Sequence, residues 1–206
     1  TRSELVLRDH PVNVERRARG DIPATMIWLF WGSGQIPAIP AFEEIYGLDA
    51  AVISGVDIVR GLARMTGLAV LDVPGVTGDM NNDYVSQATG TLEALEKYDM
   101  VVAHVEATDE AAHAGLIKDK IEAIQEVDEE TVSRLRSWDK DALRMLILPD
   151  HATPIETRSH VADAVPFVLW GPGFKPSGAK RFTEAEAKDT GVFVKEGYNI
   201  MRRLTE

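Results

Sequence analysis

The chain has 206 residues, 45% of them apolar and 27% charged, which is ordinary globular composition and long enough for a real core. It carries no cysteine, which removes disulfides, thiolate metal ligands and a cysteine nucleophile. A formal net charge of -11 disfavours nucleic acid and anionic membrane surfaces as partners, and no apolar run approaches the ~18–20 residues of a membrane span. No signal segment leads the sequence, and together these features fit a cytoplasmic location. The same negative balance means that a phosphate substrate needs local help, from bound cations or placed arginines.

The opening stretch, 1–20, is rich in arginine around His10-Pro11, with a short helix expected from Val12 to Arg19 and ended by Gly20. Ile22 to Phe30 is an apolar run and the expected first strand, followed by a flexible turn at Trp31-Gly32-Ser33-Gly34. Pro37 and Pro40 keep the next segment extended. A helical turn from Ala41 to Tyr46 stops at Gly47, a strand runs from Ala50 to Ser54, and a helix from Val56 to Thr66 closes at Gly67. Leu68 to Val73 is the next strand, ended by Pro74-Gly75, and 76–82 is turn chemistry throughout. The following helix, Asp83 to Lys97, has Val85, Ala88, Leu92 and Leu95 at core spacing.

Strand 100–105 leads into Asp109-Glu110-Ala111-Ala112-His113, which opens a helix. A long amphipathic helix is expected from Ala114 to Arg136, with Ile117, Ile121, Ile124, Val127 and Val132 on its buried side. Leu143 to Leu148 and Val165 to Trp170 are continuous apolar runs of strand length. The segment from Glu184 to Arg203 is a turn and a terminal helix interrupted near Gly191 and Gly197. Strands alternating with helices, the strands nearly all apolar, predict a mostly parallel sheet covered on both faces.

The chemistry concentrates at strand ends. Asp109 and His113 are four apart and share one helical face, Asp150 and His151 follow another strand, and His160 comes shortly after. Carboxylates and neutral imidazoles converging on one point suit a divalent metal, and five such groups suffice for two ions that share ligands. Oxygen and imidazole donors favour manganese or zinc over magnesium. His104 lies within its strand and reads as structural, and His10 has no evident partner. The glycines of the 31–34 turn lack the third glycine and the lysine of a phosphate loop. Ser33 has no histidine near it in sequence to activate it. Asn13 and Arg17, four apart on the first helix, are spaced to grip a carboxylate or phosphate; the alternative is a solvated basic face.

The run Val105-Glu106-Ala107-Thr108-Asp109-Glu110-Ala111-Ala112-His113-Ala114-Gly115 resembles the metal-binding stretch of archaeal-type cofactor-independent phosphoglycerate mutases. Lys120, Ala123-Ile124 and Asp128 continue the pattern, and Pro149-Asp150-His151-Ala152-Thr153-Pro154, His160 and Val165-Pro166-Phe167 resemble the family's closing metal motif. Gly67 to Gly78, together with Asn13 and Arg17, also fits, so the likeness spans essentially the whole chain. Trp31-Gly32-Ser33-Gly34 and Thr153-Pro154-Ile155 resemble most the bacterial branch proposed to act as homoserine kinases.

The resemblance implies an α/β fold: part of a three-layer alkaline-phosphatase-like core with a mostly parallel sheet. It implies the end of an inserted substrate domain at 1–45 and the carboxyl-terminal part of the metal-binding domain at 46–206. It assigns Asp109, His113 and His160 to one divalent ion, Asp150 and His151 to another, and substrate binding to Asn13 and Arg17. Manganese is the expected ion, with zinc and magnesium as alternatives.

The implied reaction is phosphoryl transfer through a phosphoserine on a small phosphorylated metabolite, interconverting 3- and 2-phosphoglycerate. The nucleophilic serine and an early aspartate would lie outside these residues, which would leave the fragment alone inactive and its exposed sheet edge free to pair with a second copy. Three departures stand out: Trp31 where the archaeal enzymes tend to have arginine, Gln87 where relatives often carry lysine, and Asn81-Asn82 for a more usual Asp-Thr. They keep open a homoserine kinase-type phosphotransferase, and a non-catalytic metal-binding fragment, as alternatives.

Overall fold

A computed structural model of the chain describes residues 2–29, 32, 34–139 and 143–205. Trp31 and Ser33 of the expected turn lie outside the described residues, as does Phe30. The chain forms two compact units, Thr1–Ala38 and Ile39–Glu206.

In the first unit, helices α1 (Arg2–Arg8) and α2 (Pro11–Ala18) are followed by an extended segment. Helix α2 begins where its chemistry permits: Pro11 needs no N–H partner at the first turn, and His10 Nδ1 accepts from Val12 N at 3.4 Å as the N-cap. That cap gives His10 the partner that sequence alone did not supply. The apolar run 22–29 is not a strand. It takes no place in a ladder and leaves Ile22, Trp28 and Leu29 exposed. Its backbone pairs instead with side chains of the two helices, Ala24 N with Asn13 Oδ1 and Ile27 N with Ser3 Oγ, and its apolar side chains alone do not make a ladder.

The second unit begins with α3 (Phe42–Tyr46), closed by Gly47 at φ 67°, and then alternates strand and helix. β1 (Ala50–Ile53) leads through α4 (Asp57–Met65) to β2 (Ala69–Leu71), and β2 through α5 (Tyr84–Leu95) to β3 (Met100–Ala103). These three strands form a parallel sheet in the order β2-β1-β3, with Ala51 opposite Ala69 on one side and Val101 on the other. β1 is buried along its whole length, as its unbroken apolar sequence requires. The chain turns to one side of β1 and then to the other, so the carboxyl ends of β1 and β3 form a topological switch point. Open α/β sheets bind ligands at such switch points.

Helices α6 (Ala107–Ala114) and α7 (Ile117–Glu126), a π-helical segment at Val127–Val132 and the short α8 (Ser133–Leu135) follow. The single helix expected over 114–136 is therefore interrupted. Gly115 adopts φ 73° and ends α6, because only glycine takes that conformation without a Cβ penalty. The expected buried face is also revised: Ile117, Ile121 and Ile124 are 59%, 52% and 51% exposed. In α5 the buried face consists of Tyr84, Gln87, Ala88, Thr91 and Ala94, with Val85 outside it. Tyr84, Ala107 and Ala123 form a shared cluster against which Val105 and Val127 pack. Buried alanines let α6 approach closely, and Ala111 and Ala112 are fully covered.

β4 (Met145–Ile147) and β5 (Val168–Trp170) pair antiparallel in a ladder of their own, with Leu146 opposite Leu169. The mixed α/β class and a partial parallel sheet are as expected, but these two strands stand apart from it. The chain ends in α9 (Glu184–Asp189), a 3-10 turn at Gly197–Asn199 and α10 (Ile200–Thr205). Among the described residues no helix is long and apolar enough to cross a membrane.

Candidate metal centre

The loop 104–106 leaves the carboxyl end of β3 and opens α6, so Asp109 sits in the first turn of that helix and His113 in its last. One turn apart, they meet: His113 Nε2 lies 3.1 Å from Asp109 Oδ2. A second segment completes the group. Val161 N donates to Ala152 O at 3.0 Å in an isolated antiparallel bridge, which draws the loop after β4 back on itself. His151 and His160 flank that bridge, and their ring centroids lie 3.8 Å apart.

His160 Nε2 reaches within 3.0 Å of His113 Nε2 and 3.5 Å of Asp109 Oδ1. Ligand atoms of Asp109, His113 and His160 all lie within 4.8 Å of one another. His113 Nδ1 is 2.8 Å from the carbonyl oxygen of Arg158, which can only accept, so Nδ1 carries a proton and, in the neutral ring, Nε2 a lone pair. In that form a lone pair faces a carboxylate oxygen at 3.1 Å, two acceptors opposed, and a cation between them, a proton or a metal ion, relieves the contact. One carboxylate and two imidazoles are a donor set that fits a divalent ion of the manganese or zinc kind.

Arg158 is held for this task. It has φ 51°, the left-handed region, and its guanidinium packs where a Cβ on Gly115 would stand 2.5 Å from Cζ. Arg158 N also donates to Pro154 O at 2.9 Å. Asp150 and His151 remain close, with Nε2 to Oδ2 at 3.5 Å, and His151 N donates to Asp150 Oδ1 at 3.0 Å. Thr153, to which sequence reasoning gave no role, has its hydroxyl 2.5 Å from Asp109 Oδ1 and 3.2 Å from His151 Nδ1. Lys120 Nζ donates to the Thr153 carbonyl at 2.8 Å. Only the spacing Asp-His-x-Thr pointed to Thr153, and a threonine two residues after a histidine is common.

The shell beneath the centre is polar and closed. His104, just past the carboxyl end of β3, has Nδ1 3.1 Å from Ser54 Oγ and Nε2 3.5 Å from Glu106 Oε2. Burial pushes the Glu106 carboxyl above its ordinary value; His104 opposes that shift, and the charges of Asp109, Glu110 and Asp150 add to it. Gln87 is 0% exposed, and its amide donates to His104 O at 2.8 Å while accepting from Asn82 Nδ2 at 2.9 Å. Gln87 and Asn82 thus spend their polar atoms inside the fold.

In the first unit Asn13 is buried, with Nδ2 bonded to Leu7 O at 2.7 Å and Ala24 O at 2.8 Å, and Oδ1 accepting from Ala24 N at 2.9 Å. Asn13 therefore braces its own unit. Arg17 is exposed, with one guanidinium nitrogen on Arg8 O at 2.8 Å.

The model of one protein family, described as the metalloenzyme superfamily, matches residues 8–200. The chain belongs to the metalloenzyme superfamily. It is 45% identical to a 2,3-bisphosphoglycerate-independent phosphoglycerate mutase of Methanothrix thermoacetophila, over 98% of this chain and 52% of the relative. This metalloenzyme-superfamily chain also superposes on the PH0037 protein of Pyrococcus horikoshii with a TM-score of 0.81 and 35% identity, covering 90% of this chain and 49% of that one. A cofactor-independent phosphoglycerate mutase of Thermoplasma acidophilum gives a TM-score of 0.62 at 25% identity, covering 98% of this chain and 48% of that one. The chain therefore spans about half the length of the relatives it matches.

Proposed function

We propose that this centre serves a cofactor-independent phosphoglycerate mutase, which moves a phosphoryl group between the 3- and 2-hydroxyls of glycerate through a phosphoserine. The observation that carries the reading is the convergence of Asp109, His113 and His160, with His151 stacked beside His160. Asp109, His113 and His160 would hold one divalent ion and Asp150 with His151 a second, manganese being well matched to mixed oxygen and imidazole donors. When bound, such ions supply the charge that stabilises the entering and leaving oxygens of an in-line displacement.

The chain's own residues preset the cage. The Arg158 carbonyl holds the His113 Nδ1 proton, which keeps Nε2 available as a donor atom. Burial raises the Glu106 carboxyl above its ordinary value, and the charge of Asp109 is among those that add to the shift. Arg17 is an exposed guanidinium suited to a carboxylate or phosphate, on a helix that Asn13 braces. The substrate in this reading is a small phosphorylated metabolite of the cytoplasm, and the accepting serine belongs to the part of the relatives that this chain does not align with.

The test is conversion of 3- to 2-phosphoglycerate by the full-length protein with manganese. Asp109→Ala and His113→Ala should each abolish it. Absence of conversion, with ATP-dependent phosphorylation of homoserine instead, would replace the mutase by a kinase-type phosphotransferase. Manganese binding with neither activity would leave a non-catalytic metal-binding protein.

A further inference from the structure

Two half-sites that draw on different elements need something to keep them in register. Asp109 comes from α6, whereas Asp150 and His151 come from the loop after β4. A side chain that is not itself one of the five ligands touches both. Thr153 is 6% exposed, its carbonyl is held by Lys120, and its hydroxyl lies within hydrogen-bond distance of Asp109 Oδ1 and of His151 Nδ1.

A hydroxyl has a single proton to give, so the two contacts cannot be alike. A carboxylate oxygen can only accept, so the Thr153 proton goes to Asp109 Oδ1. The oxygen lone pair then faces His151 Nδ1, and a bond forms there only if Nδ1 carries the hydrogen. In the neutral ring that leaves the lone pair on Nε2, the atom beside Asp150 Oδ2 at 3.5 Å. The same donated proton occupies Oδ1 of Asp109 and leaves Oδ2 turned to His113.

We propose that Thr153 is the positioning residue that joins the two half-sites, orienting the acid of one and selecting the ring tautomer of the other through a single hydroxyl. The proposal rests on the reading of the cluster as a divalent-ion centre. It goes further in predicting that removal of one group that is not itself a ligand disturbs both halves together. Threonine suits the position because its methyl fixes χ1 against the surrounding packing, which serine does less firmly.

The experiment uses the whole chain as wild type, Thr153→Val and Thr153→Ser. Valine keeps the shape and removes the hydroxyl, whereas serine keeps the hydroxyl. The first readout needs no metal: nitrogen-15 correlation spectra of the histidine rings at about pH 8.5, above the ordinary imidazole range. Wild type and Thr153→Ser should show His151 protonated at Nδ1, and Thr153→Val should lose that preference. An Nε2-protonated His151 in the wild type would overturn the proposal without any variant. The second readout is manganese titration by calorimetry. Thr153→Val should weaken both binding steps about tenfold or more, the usual scale for a residue that orients ligands, and Thr153→Ser should restore them to within about threefold.

Unchanged affinities and an unchanged tautomer in Thr153→Val would sink the proposal. His113→Ala separates the two ideas. Equal manganese binding by wild type and His113→Ala would remove the divalent-ion reading, whereas loss in His113→Ala with no effect in Thr153→Val would remove only the role of Thr153. If Thr153→Val melts early, Thr153→Ala at lower temperature supplies the same readouts.

Discussion

His113 donates its Nδ1–H to the carbonyl oxygen of Arg158 across 2.8 Å, and that bond decides which ring nitrogen is left as a donor atom. The carbonyl is in place because Arg158 adopts φ 51°, a conformation that costs a non-glycine residue energy and persists only where neighbours impose it. The neighbour here is Gly115, whose missing Cβ leaves room for the guanidinium. The helix-ending glycine and the ligand-orienting carbonyl thus belong to one device.

Gly115→Ala should therefore cost more than an ordinary glycine replacement. Its φ of 73° imposes about 1–2 kcal/mol on any L residue, and the new Cβ would stand 2.5 Å from Arg158 Cζ. Gly191, at φ 69° with nothing within 4 Å of a built Cβ, is the control. Thermal unfolding should show Gly191→Ala losing the backbone part alone. Gly115→Ala should lose more and also bind manganese less tightly.

Gln87→Leu should destabilise the second unit by about 1–3 kcal/mol, because it leaves the His104 carbonyl and the Asn82 amide without partners in a buried setting. Urea unfolding should report a lower midpoint with an unchanged slope. A neutral result would mean that water reaches these groups.

Tyr84 provides a pH signature. Burial, followed by the charges of Glu126 and Glu122, pushes its phenol up to about 12 from 10.0. The folded state holds this proton more tightly than the unfolded state. The contribution is therefore complete below pH 10.0 and is lost as pH rises through about 12. Tyr84→Phe should flatten the alkaline limb of stability over that interval in denaturant titrations. An unaltered limb would mean that another group controls it.

The short-range part of this protein was legible in its residues. Asp109 and His113 are four apart on a helix, so their contact at 3.1 Å follows from helical pitch, and adjacency brings Asp150 and His151 together. The alternation of apolar strands with helices likewise announced the parallel sheet around β1. What lay beyond the sequence depends on partners far along the chain. His160 meets His113 only because the Ala152–Val161 bridge folds the loop back, and no periodicity encodes that bridge. The isoleucines of α7 share one face by pitch alone, but whether that face is covered depends on what packs against it, and here it is exposed. Strands β4 and β5 have the apolar pattern of buried parallel strands yet pair antiparallel, since strand direction is set by the connection and not by side-chain type. Most telling is the proton on His113. The residue type supplies two equivalent-looking nitrogens, and only the tertiary placement of the Arg158 carbonyl makes them different.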